Sequence, residues 1–201
     1  MSRVALTGIL LALLMPVLRA QAVAPPAVVD SAVTAVEDLG EKVVKRGDFK
    51  AAIDSMYPQW KERMAKRNGG IRNLEEKLAA VGPALAREGV EIISFKTVGA
   101  PRSYEVWPGK PEPGAAPDAI NFTKWLLLIP TVTQLRVAVS ADPPEFAVID
   151  SHGFQVAISD KGKNEWTFIN GSDVTVADLR SLFITLPDNM RLPEVKKKVA
   201  D

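Results

Sequence analysis

Cysteine is absent from the 201-residue sequence. Its absence excludes disulfides, a lipid-modified cysteine anchor, thiolate nucleophiles and sulfur-ligated zinc or iron sites. Histidine occurs once, at His152, and no carboxylates cluster with it along the chain, so neither a metal site nor a cofactor is expected. Charge of one sign is also lacking: 25 Lys and Arg face 24 Asp and Glu, for a formal net charge of +1. Nothing in that balance selects nucleic acid or an anionic membrane as a partner. No apolar run is long: Val4–Leu14 spans 11 residues and Pro16 interrupts its extension, short of the roughly 18 that cross a bilayer as a helix.

What is present at the start reads as a secretory signal peptide. Arg3 supplies the charged region, Val4–Leu14 the apolar one, and Ala20-Gln21-Ala22 a small-residue cleavage site. Cleavage after Ala22 predicts an exported chain, periplasmic or extracellular, without a stable membrane anchor. Removing residues 1–22 leaves 179 residues, and the loss of Arg3 and Arg19 turns the net charge to −1. That length suits one domain burying about 70% of its unfolded surface. The expected division is a signal peptide over 1–22, a single domain over 23–190 and a flexible tail over 191–201, with Lys196–Lys198 as a solvated, frayed end.

Helical spacing dominates the first half. Val29, Val33, Val36 and Val43–Val44 predict a first helix with Gly40 as its weak point. Asp48 can cap a second through Phe49, Ile53 and Met56, and Pro58 demands a restart that carries Trp60 and Met64. Ile71, Leu74, Leu78, Val81 and Leu85 then alternate three and four apart, a third amphipathic helix with a kink expected at Gly82-Pro83. From Gly89 the chain turns β-branched and aromatic: "VEIISFKTV", "SYEVW", "INFTKWLLLIPTVTQLRVAV", "EFAVID", "FQVAIS" and "EWTFI" read as strands. Thr175 and Asp178 form a capping box before a short C-terminal helix. Helices first and strands after, with no internal repeat, predict an α+β domain: N-terminal helices packed against a strongly curved, mainly antiparallel sheet, a cone-like open barrel.

One stretch, "DKGKNEWTFINGSD" at 160–173, has the look of an Asp box or a calcium loop. The Asp box needs its tryptophan one residue sooner, and Gly162 and Glu165 stand where a calcium loop needs a ligand and a glycine. The stretch therefore reads as a turn, with Gly162 supplying a positive φ between two strands.

The words "KRGDFKAAIDSMYPQW", "NGGIRNLEEKL", "GVEIISFKTVGAPRSY", "LLLIPT", "VAISDKGKNEWTFINGSD" and "LRSLFITLP", in this order, resemble the nuclear-transport-factor-like cones. That superfamily includes the ketosteroid isomerases, and the resemblance is strongest to its small exported bacterial members of unknown function. It implies a cone able to hold a small hydrophobic ligand. The stretch "SADPPEFAVIDSHG" at 140–153 departs from the pattern as an insertion would.

Tyr57, Trp60, Tyr104, Trp107 and Trp125 are the large aromatics on elements that would face such a cone, as ligand-binding residues or as core. No catalytic residue is assigned. The isomerases set a carboxylate base against a tyrosine and a protonated carboxyl, and Tyr57, Tyr104, Glu105, Asp118, Glu145 and Asp150 stand in no motif that matches those roles. Asp150-Ser151-His152 packs triad residue types into neighbours that cannot converge, so His152 reads as a bulge or rim residue. Arg46-Gly47-Asp48 falls at a helix joint, where Gly stops one helix and Asp caps the next. Three functions follow: a noncatalytic exported domain binding a small hydrophobic ligand, a homodimeric assembly module using an open sheet face, and an isomerase- or hydratase-like enzyme.

Overall fold

The computed structural model describes residues 22–109, 121–141 and 144–200. The expected leader lies outside these apart from Ala22, as does most of the Pro/Gly-rich segment that carries Asp118. Helix α1 (Pro26–Gly40) opens with proline at its first turn and passes into one π-turn, Glu41–Lys45. There the Arg46 N–H donates to the Glu41 carbonyl at 3.2 Å, one residue beyond the α-helical partner. The geometry changes at Gly40, the residue least able to hold the α-helical pattern. Asp48 caps α2 (Phe49–Asp54) by accepting from the Ala51 N–H at 3.1 Å, behind a left-handed Gly47 with φ 68°. The chain restarts as α3 (Pro58–Arg67).

The third amphipathic stretch is two helices, α4 (Ile71–Ala79) and α5 (Val81–Arg87). The break falls at Ala80 rather than at Gly82-Pro83. Pro83 then stands in the first turn of α5, where a missing N–H costs no helical hydrogen bond.

Strands β1 (Val90–Thr97), β2 (Arg102–Val106), β3 (Lys124–Ala141), β4 (Pro144–Asp160), β5 (Thr167–Asn170) and β6 (Lys196–Val199) pair antiparallel in one open sheet. The β3–β4 hairpin is its spine, paired from Lys124↔Asp160 to Ala141↔Pro144 with one register shift near the hairpin end. Along the outer side of β3 lie β2 and then β1; along the outer side of β4 lie β5 and β6. Helix α6 (Val176–Leu182) sits between β5 and β6 in sequence and carries the expected capping box, with Thr175 and Asp178 bonded reciprocally. None of the described helices is long and apolar enough to cross a membrane.

Three sequence readings are corrected here. "EFAVID" and "FQVAIS" are one strand, because Gly153 pairs with Thr131 in an unbroken ladder and the real interruption is the hairpin end before Pro144. His152 accordingly faces Val132 in regular pairing, and the register shift of this ladder lies elsewhere, between Ala138 and Ser140. The Lys196–Lys198 run is no frayed end. Lys196, Lys197 and Lys198 pair with His152, Ser151 and Asp150 as an exposed edge strand, and lysines at an edge discourage further strand addition.

Period-two alternation gives the sheet two apolar faces. Val106, Leu126, Leu128, Phe154, Val156, Ile158 and Ile169 pack against Tyr57 and Trp60 near α3 and against Leu179, Leu182 and Phe183 at α6. Trp125, Leu127, Ile129, Ala157 and Phe168 pack on the opposite face, under Ala32 and Val36 of α1. The helices therefore cover both faces. The chain passes between them at the β5 edge, where the Phe168 N–H donates to the Ser55 carbonyl at 2.8 Å and the Tyr57 N–H to the Phe168 carbonyl at 2.9 Å.

Candidate functional site

The sheet separates the aromatics expected to line one pocket. Tyr57 and Trp60 are 5% and 3% exposed in the core beneath α3 and α6, with Tyr104 packed beside them. Trp125 is buried on the other face, 4.7 Å from the Lys161 ammonium, which is ion-paired to Glu105. Trp107 is half-buried, and its backbone N–H donates to the Thr185 hydroxyl at 3.1 Å. None of the five lines the apolar cavity between the helices and the sheet. The physical reason is parity: Tyr104 on β2 pairs opposite Leu126, one step from Trp125, and one step along a strand is the other side of the sheet.

The cavity, about 380 Å³, lies between helices and sheet. Val36, Leu39, Val43 and Val44 of α1 and its π-turn form one wall; Phe49 and Ala52 of α2, Leu78 of α4 and Val81 of α5 form the other. Its floor is the sheet, with Phe95 from β1, Gln155 from β4 and Phe168 and Asn170 from β5. A wider recess of about 870 Å³ shares Val43, Val44, Phe49 and Val81 with it and continues past Leu85 and Leu135 toward Lys45 and Arg46. Volumes of this order are those of small-molecule sites, and single π-turns recur at functional sites.

Local sequence explains each wall. Gly40 has no Cβ, and one placed there would lie only 2.0 Å from the Phe95 ring, so glycine lets α1 approach β1 closely. The stripe on α4 and α5 is only partly spent on the core. Leu74 is buried, Leu78 half-buried and lining the cavity, and Ile71 and Val81 remain 42% and 40% exposed. A stripe longer than the core required, beside a valine pair at Val43–Val44, was the signal in the sequence that could have pointed here.

The lining is short of charge. The enclosed part holds two polar side chains, Gln155 and Asn170, and no group that exchanges a proton near neutrality. Asp150 and His152 share a face of β4, as expected, yet they serve no common centre. Asp150 accepts from Gln134 Nε2 at 3.1 Å, while His152 Nε2 is shielded and makes no hydrogen bond among the described residues. No three His, Asp or Glu side chains gather as a metal-binding group among the described residues.

Tyr57 is perturbed by its place in the core. Burial, helped by the charge of Asp160, pushes its phenol up to about 12, so it stays protonated at neutral pH. In the unfolded chain the phenol ionises near 10. Folding stability is then full below pH 10 and falls as pH rises toward 12, because the native state keeps a proton that the unfolded state releases. The expected loss is about 2–3 kcal/mol between those limits. Denaturant titrations of wild type and Tyr57→Phe check it: the phenylalanine variant should lack this component of the alkaline decline.

Comparison with protein-family models, with curated proteins and with solved structures finds no match.

Proposed function

We propose that this protein is an exported, noncatalytic binding domain that holds a small hydrophobic molecule in the cleft between α1, α2, α4–α5 and the sheet. The observation that carries this reading is the lining itself: a partly enclosed, mainly apolar cavity of about 380 Å³, walled by aliphatic and aromatic side chains and bounded by a π-turn. Proton-transfer chemistry has no side chain to use in the enclosed part, which favours binding over turnover. Export rests on the leader pattern of residues 1–22.

The resemblance to the nuclear-transport-factor-like cones, and with it a strongly curved sheet, belongs to the same proposal. Helices preceding a mainly antiparallel open sheet and an apolar cleft support it; helices on both faces depart from it. A second reading, self-assembly, draws on the end of the β3–β4 hairpin, where Val139 and Phe146 are 60% and 58% exposed.

A fluorescent apolar probe tests the first reading. Wild type should bind it, and Ala52→Trp, which puts an indole into the cavity, should weaken binding more than tenfold while keeping the wild-type unfolding midpoint. Equal binding by both folded proteins would remove the cleft from the proposal. A dimer lost in Phe146→Ser, with no probe binding, would favour assembly.

A further inference from the structure

The floor of the cleft is not uniformly apolar, and its two polar groups are neighbours. Gln155 and Asn170 pair across β4 and β5, so their side chains rise from adjacent positions on one face, with Phe168 beside them. The Asn170 carbonyl oxygen is already used: it accepts from the Ser172 N–H at 3.2 Å, capping the short turn Gly171–Asp173. That bond directs the amide and leaves its NH₂ without a hydrogen-bond partner among the described residues. Gln155 is half-buried and makes no side-chain hydrogen bond among the described residues. Two carboxamides with unspent N–H donors therefore border a cavity that is otherwise Val, Leu, Phe, Met, Ala and Gly. Asn170 is exposed and Gln155 half-buried, so water meets these donors in the free protein, and a ligand that displaced it without offering an acceptor would leave them unmade at a cost of about 1–3 kcal/mol each.

We infer that the ligand is a neutral apolar molecule bearing one hydrogen-bond-accepting oxygen, a hydroxyl or a carbonyl, which Gln155 and Asn170 hold on the cleft floor while the hydrocarbon body lies against Val36, Val43, Phe95 and Leu78. This rests on the binding reading above and deepens it. A carboxylate fits less well, because the enclosed part of the cleft holds no cation, and a buried carboxylate held by neutral amides alone keeps much of its desolvation cost. The cations Lys45 and Arg46 line only the outer recess, and both are already within 4 Å of Glu41. A donor pair of this kind selects by chemistry as well as by size, since a ligand lacking the oxygen leaves both donors unpaired.

Displacement of the apolar probe by decanol, decane and decanoate tests the inference on wild type and on Gln155→Leu, with the unfolding midpoint of each recorded. Decanol should compete at least tenfold better than decane and better than decanoate on wild type. In Gln155→Leu the advantage over decane should shrink severalfold while decane itself binds as well or better. Equal competition by decanol and decane on wild type, or an unchanged preference in a folded Gln155→Leu, would overturn the donor-pair inference and leave the cleft as a plain apolar site. Decanoate as the best competitor would overturn it in favour of an anionic head group at the outer recess. Absence of probe binding altogether would instead count against the cleft as a binding site.

Discussion

Trp60→Ala is expected to lose about 3–5 kcal/mol of folding stability, the range for emptying a buried tryptophan site. Trp60 is 3% exposed and lies among Leu, Val and Ile side chains of the sheet face covered by α3 and α6. Its ring has a second duty. The guanidinium groups of Arg63 and Arg67 lie 5.8 and 5.5 Å from the ring centroid. From there they reach the Asp178 carboxylate at 3.6 and 3.0 Å, tying α3 to the first turn of α6. Burial pushes the Asp178 carboxyl up, but hydrogen bonds from the Thr175 hydroxyl and backbone N–H and from Arg67 outweigh it and hold the group below its ordinary value. Removing the indole therefore opens a cavity and releases the platform on which two charged partners rest. Urea titration reads the loss directly. A folded Trp60→Ala protein with the wild-type midpoint and no probe binding would instead restore Trp60 to a pocket role.

The sequence left Trp60 open between core and pocket, and the structure's placement of it in the core has a definite cause. Spacing in the sequence placed Asp48, Pro58, Thr175 and Asp178 correctly, because caps and helix starts are local chemistry carried by neighbours three residues apart. Turn residues were legible for the same reason: Gly162, at φ 83°, joins β4 to β5 where the positive φ was expected. Which face of the sheet a helix covers is not local. It is decided where Ser55–Tyr57 crosses the β5 edge, and nothing in "SMYPQW" states the direction of that crossing. The aromatics therefore read as one set although parity places them on two sides. The length of β4 escaped notice because a glycine in mid-strand and a turn glycine look alike in sequence, and only the opposing residue, Thr131, distinguishes them. The cleft escaped for a third reason. An amphipathic stripe records that a face is apolar, and the same stripe on α4 and α5 serves a core at Leu74 and a cavity wall at Leu78.

Gly40→Ala separates local propensity from packing, because the two predict opposite signs. Gly40 lies in ordinary helical backbone, with φ −59° and ψ −43°. Alanine there carries no strain, and propensity alone would raise stability by about 1 kcal/mol. The added methyl, however, would clash with the ring of Phe95 on β1, its nearest carbon only 2.0 Å away. Either α1 lifts from the sheet or the ring turns aside, and overpacking of this kind costs about 1–3 kcal/mol. The ring borders the cleft, so turning it aside places aromatic volume in the cavity. The expected result is a folded protein, less stable than wild type, that binds the apolar probe at least tenfold more weakly. Adding Phe95→Ala to Gly40→Ala should then return part of the binding and cost less stability than Phe95→Ala costs in the wild-type background, since the methyl fills space the ring has left. A Gly40→Ala protein more stable than wild type, with binding intact, would show that α1 does not depend on this contact and that the wall of the cleft is built by other residues.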